Sequence, residues 1–202
     1  MIEELAEMLD ISTRLSAILD FPGTKGMPPD VTEAVRAAKR QMEGLPLVIE
    51  DLNAAYEHFQ ILSTTIYRME ALAREASKEE GLSPEERHAM NEEFGELAYV
   101  VARQAGQAHF NGTSLSLLKP SYAKAAHKVL SYLIPVVNNL DQEISGQKSL
   151  VVEAIAETIN FMAIVTRCYP EAEGIETIIQ TLERIKLPKN ISEPIAISPI
   201  LH

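Results

Sequence analysis

The sequence predicts an all-α fold: a long antiparallel helical hairpin within an elongated helical bundle, with at most a very short β-hairpin near 110–118. Three observations predict it. From Leu45 to Ala76 the apolar residues keep a seven-residue step in two lines. Leu45, Leu52, Phe59, Ile66 and Ala73 form one, and Val48, Ala55, Leu62, Met69 and Ala76 the other. An a/d seam over more than four heptads predicts one helix of roughly 48 Å that buries a narrow stripe. The second observation is a corner. Gly81 suits a helix end, Ser83 an N-cap, Pro84 the first helical position, and Glu86 falls three residues after the cap to complete a capping box. So short a link makes the two helices antiparallel. The third is composition: 9 Gly, 5% aromatic residues and no Trp, which suits a helical bundle better than a sheet.

Taken in order, residues 2–20 form an amphipathic helix with Leu5, Met8, Leu9, Ser12, Leu15, Ile18 and Leu19 on one side. Phe21 to Pro29 breaks it with Pro and Gly. Asp30 then serves as a cap, with Glu33 in the capping-box position, for a helix carrying Val31, Val35, Ala38 and Met42 to Gly44. A boundary or kink is expected near Gly44-Leu45-Pro46, with the seam running through it. The helix after Ser83 adds Met90, Phe94, Leu97, Val101 and Ala105 to the stripe and closes at His109-Phe110-Asn111-Gly112, where Asn-Gly takes a tight turn.

From Ser121 a further helix presents Tyr122, Ala126, Val129, Leu133, Val136, Leu140 and Ile144 as its stripe, kinks at Pro135 and ends at Gly146. Leu150 to Val165 is apolar on nearly every side and must be central in a bundle or covered by a partner. Tyr169-Pro170 ends it. Glu171-Ala172-Glu173 opens the last helix, whose buried face is Ile175, Ile178, Ile179, Leu182 and Ile185. Pro188, Pro194 and Pro199 make the tail extended. The resulting segments are 1–29 (helix and linker), 30–118 (hairpin), 119–187 (helices completing the bundle) and 188–202 (tail).

A formal charge of −11 argues against nucleic acid or an anionic membrane surface as partner. Glu153 and Glu157 interrupt the most apolar helix, so no membrane insertion is expected. Cys168 is alone and ends an apolar segment, so an inert buried thiol is expected. Glu85 and His88 have the Glu-x-x-His spacing of carboxylate-bridged metal bundles, but His58 and His127 lack the matching glutamate. His88 is therefore read as part of a solvated first turn, and His109 as a helix-end residue near free carbonyls. No phosphate loop, catalytic triad or zinc spacing is present, so no catalytic residue, metal or cofactor is expected and the chain is read as a non-enzyme.

Arg87, Glu93, Leu97, Arg103, Ala105 and Phe110-Asn111-Gly112 resemble bacterial flagellin, in the N-terminal part of its inner helical domain. The family pattern lies on residues 87–112 without a gap, with Leu117-Leu118 just after. Upstream, Leu52-Asn53, Leu62, Met69 and Ala76 fit the family's preceding long helix. The good match covers about a third of the chain; the opening residues keep none of the family's opening motif, which makes this a diverged flagellin-like protein. The resemblance implies a structural protein of the bacterial flagellum, concerned with motility, that associates through coiled-coil-like helices. It implies as partners other copies of itself or flagellin-type subunits, and flagellar export components. It also implies location in the flagellum or secretion without a cleaved signal, the cytoplasm being the runner-up. Arg87, Glu93, Arg103, Phe110, Asn111 and Gly112 sit where the family builds its hairpin and inter-subunit contacts. Two other readings stand beside it: a cytosolic chaperone or adaptor for an exported helical protein, and a bundle that binds a small ligand or metal between its helices.

Overall fold

A computed structural model of the chain describes residues 1–19, 26–104 and 116–185. These residues form helices α1 (Ile2–Leu19), α2 (Pro29–Ala76), α3 (Pro84–Gln104), α4 (Pro120–Cys168) and α5 (Ile175–Arg184), with no strand among them. The all-α class and the long helices are as expected. Of the short β-hairpin allowed near 110–118, residues 110–115 lie outside the described residues, and 116–118 carry no strand.

The helices make two compact units. One draws on Met1–Asn53 and Gly146–His202, the other on Ala54–Ser145. Each therefore takes part of α2 and part of α4.

In the first unit α1 buries Leu5, Met8, Ile11, Ser12, Leu15, Ile18 and Leu19, the expected face with Ile11 in place of Leu9. Val35, Met42, Leu45, Ile49 and Leu52 are the buried apolar residues of α2 here, and Val151, Ile155, Met162 and Val165 those of α4. Lys148 of α4 donates to the Glu4 carboxylate of α1 at 2.7 Å, and that cation, with burial opposing, holds the Glu4 carboxyl below its usual range. After α4 ends at Cys168, Gly174 takes a left-handed φ of 85° and leads into α5. This starts α5 later than Glu171–Glu173 suggested, because a turn donating Ala172 N–H to the Tyr169 carbonyl comes first.

The second unit is built on the predicted hairpin. Its corner has both bonds of the capping box: Ser83 N–H donates to the Glu86 carboxylate at 2.8 Å, and Glu86 N–H donates to Ser83 Oγ at 3.1 Å. Gly81 supplies a φ of 97° that other residues rarely adopt. Arg87, Glu93 and Gln104 of α3 bond to Ala76, Arg68 and His58 of α2 in turn. Partners that advance along one helix and retreat along the other define an antiparallel pair. Lys124, His127 and Asn138 of α4 meet Glu79, just past the end of α2, and Glu70 and Tyr67 within it, in the same retreating order. The first part of α4 thus runs against α2 and alongside α3. Phe59, Ile66, Met69, Phe94, Leu117 and Leu130 lie in one core among the three.

Several expectations are corrected. Helix α2 runs on through the boundary allowed at Gly44-Leu45-Pro46, and α4 through the end expected at Gly146. A β-carbon at either glycine would meet nothing within 4 Å, so each costs only its helix propensity, about 1 kcal/mol, which packing offsets. Asp30 lies inside the first turn of α2, not at its cap, because Pro29 already opens the helix. Glu33 instead binds Arg40 at 2.9 Å. On α2 the line Leu45, Leu52, Phe59, Ile66 and Ala73 is buried throughout, but its companion is not: Val48 and Ala55 face solvent, and Ile49 is buried in their stead. Only from Met69 to Ala76 does the predicted second line return to the core.

Cys168 is exposed, because the last turn of α4 points Val165 inward and its final residue away. By length and composition α4 is apolar enough to cross a membrane, despite Glu153 and Glu157. Its residues Val151, Ile155, Met162 and Val165 are core residues of the first unit.

Candidate interaction surface

The residues singled out in the hairpin have distinct places. Arg87, on the first turns of α3, donates from Nη1 to the Ala76 carbonyl at 2.5 Å and from Nη2 to the Lys78 carbonyl at 3.2 Å. The first carbonyl belongs to the last residue of α2 and the second to the turn just after it, so the guanidinium caps the helix end. Glu93 accepts from Arg68 Nε at 2.5 Å and from Nη2 at 2.8 Å. The bidentate geometry tilts both groups toward their charged forms: the hydrogen bond from Arg68 holds the Glu93 carboxyl below its usual range, and Glu93 raises Arg68. Both residues are thus spent on joining α2 to α3. Arg103 is exposed and lines a cleft of about 410 Å³ with His58, Tyr99, Val100 and Gln104. Phe110, Asn111 and Gly112 lie outside the described residues, as does His109.

One residue of this region was not marked by the sequence. Asn91 on α3 accepts from Leu117 N–H at 2.8 Å and from the Ser116 hydroxyl at 3.0 Å. That clamp seats the fully buried Leu117 and fixes where the chain enters α4. Its partners lie 25 and 26 residues away, so no local pattern announces it.

Of the expected stripe of α4, Ala126 is buried and Ile144 packs against the core, but the other five members face the other way. Ala123, Ala126, Leu130 and Val137 are buried in the second unit, whereas Tyr122, Val129, Leu133, Val136 and Leu140 are between 39% and 53% exposed. Tyr132, beside them, is 68% exposed. Two apolar stripes share this helix about 100° apart, and the inner one was chosen by size. Ala73 and Ala76 of α2 and Ala123 and Ala126 of α4 are all fully buried in one core, and small side chains let helix backbones approach closely. Tyr122 has no room there and lies outward, with Lys119 Nζ 5.5 Å from its ring centre.

The outer stripe has a 3–4 rhythm. Tyr122, Ala126, Val129, Leu133, Val136 and Leu140 are separated by four, three, four, three and four residues, the spacing of a coiled-coil seam. Ala126 is the one member buried inward. Lysines stand at 119, 124 and 128 and acids at 141 and 143, with no acid between 119 and 140 and no Lys or Arg between 129 and 147. The stripe is therefore basic at one end and acidic at the other.

Among the described residues no group of three or more His, Cys, Asp or Glu is placed to hold a metal ion. The chain matches no known family model, no curated protein and no solved structure.

Proposed function

We propose that the chain is a structural or interaction protein that acts by helix-mediated association with copies of itself or with a partner. The observation that carries this is the outer stripe of α4: five large apolar residues at coiled-coil spacing, left to solvent by the unit that contains them. Scattered apolar residues on a surface are ordinary, but a contiguous ordered row is the mark of an interface. The resemblance of residues 87–112 to flagellin adds a setting, a bacterial flagellum with flagellin-type subunits or export components as neighbours. The capped corner and the antiparallel α2–α3 pair support that reading.

A photo-crosslinking residue placed at Val136 in the cells that make the protein tests the proposal. Adducts are expected from position 136 and not from Gln60, a polar exposed control on α2. Their mass identifies the neighbour as this chain or another, and sheared flagella containing the adduct would support the flagellar setting. A reactive site at 136 that captures no protein would refute the reading.

A further inference from the structure

We infer that the outer stripe of α4 is a homodimer seam in which two copies pair antiparallel about a two-fold axis level with Ser131. The inference rests on the association reading above and names its partner. In an antiparallel pair centred at that level, residue numbers facing each other add to a constant. Tyr122 then faces Leu140 of a second copy and Val129 faces Leu133, while Val136 comes level with Ala126, whose side chain is buried inward. Tyr122, Val129, Leu133 and Leu140 thus each meet a large apolar partner across the seam, and Val136 packs beside them.

The charges choose the occupant. The same register sets Lys119 against Glu143, and the two-fold axis makes the contact twice. Asp141 comes opposite Ser121, within one helical turn of Lys119 and Lys124. A parallel arrangement would put lysine over lysine and acid over acid, and an anionic lipid surface would meet the acidic end unfavourably. A second copy reversed end to end satisfies both ends. The chain as a whole carries −11, so the local complementarity must act against a general repulsion.

That opposition gives the test its logic. Sedimentation velocity of the purified full-length chain, over a range of concentrations, measures self-association of the wild type and of Lys119→Glu, Glu143→Lys and the double exchange. The single substitutions move the net charge in opposite directions, yet each is expected to weaken association at least tenfold, because each places like charges in contact twice. The double exchange keeps the net charge and is expected to restore association. Val136→Asp, an exposed site whose change leaves the helical circular dichroism intact, is expected to give a monomer. A wild type that is monomeric at every concentration overturns the seam, whether another protein, a lipid surface or residues 186–202 of its own chain prove to cover the stripe. A dimer that Glu143→Lys strengthens would also overturn it. Because these measurements use purified protein alone, they fail separately from the crosslinking in cells: a monomer in solution with adducts to another protein in cells removes the seam and leaves the association reading standing.

Discussion

Arg87 is the residue on which the α2–α3 corner most depends. Its guanidinium donates to the carbonyl of the last residue of α2 and to that of Lys78 in the turn beyond, and hydrogen bonds from a charged donor contribute about 1.5–3 kcal/mol. Arg87→Ala is expected to lower stability by about 2 kcal/mol in urea unfolding, and Arg87→Lys to recover only part of it, since one ammonium does not span both acceptors. Glu93 follows a different rule. Its carboxyl titrates below the ordinary 4.5 because Arg68 favours the charged form. The stabilisation is therefore present above the unfolded value and is lost as pH falls through the lower folded value. The pair is substantially exposed, so Glu93→Gln is expected to cost no more than about 1 kcal/mol near neutrality. It should also flatten the fall in stability below pH 4.5, which chemical unfolding across pH 3–6 would measure. The exposed Cys168 should react fully with a thiol reagent in the native protein. At this scale the sequence was legible where partners are near neighbours, as Ser83 and Glu86 are. It was silent where a single side chain reaches across the fold, as Asn91 does to Leu117.

Among the helices, α4 decides the most. Its inner and outer stripes have the same periodicity and differ by a rotation of about 100°, so spacing alone did not tell which one enters the core. Packing tells them apart. Leu130 is 2% exposed, and Leu130→Ala is expected to cost about 2–5 kcal/mol. Leu133→Ala should change the stability of the monomer by less than about 1 kcal/mol while weakening self-association. Denaturant midpoints for the two variants at low protein concentration check this, and the reverse order would show that the stripes had been exchanged. Helix α2 shows the same ambiguity more mildly: the Leu45-to-Ala73 line was legible because it is buried along the whole seam. Its companion shifts from Ile49 to Met69 and Ala76, a change of register that a strict heptad reading passes over. Gly146 suggested an end that tertiary packing overrides, since it falls within a helix that buries apolar residues before and after it.

For the whole molecule, the long paired helices and the capped corner were readable from the chain, and the surface proposed to face a partner was visible only once the core had been assigned. The central claim is that two molecules meet along α4 in one antiparallel register. Disulfide trapping addresses it most directly, in a Cys168→Ser background that removes the native thiol. One protein carries Tyr122→Cys and a second carries Leu140→Cys. In the proposed register these positions face each other, whereas two copies of either position lie roughly 27 Å apart along the seam. Mild oxidation of the mixture should yield a covalent dimer of about twice 22.3 kDa, and neither protein alone should form one. No dimer in the mixture, or dimers formed equally by each protein alone, would contradict the account.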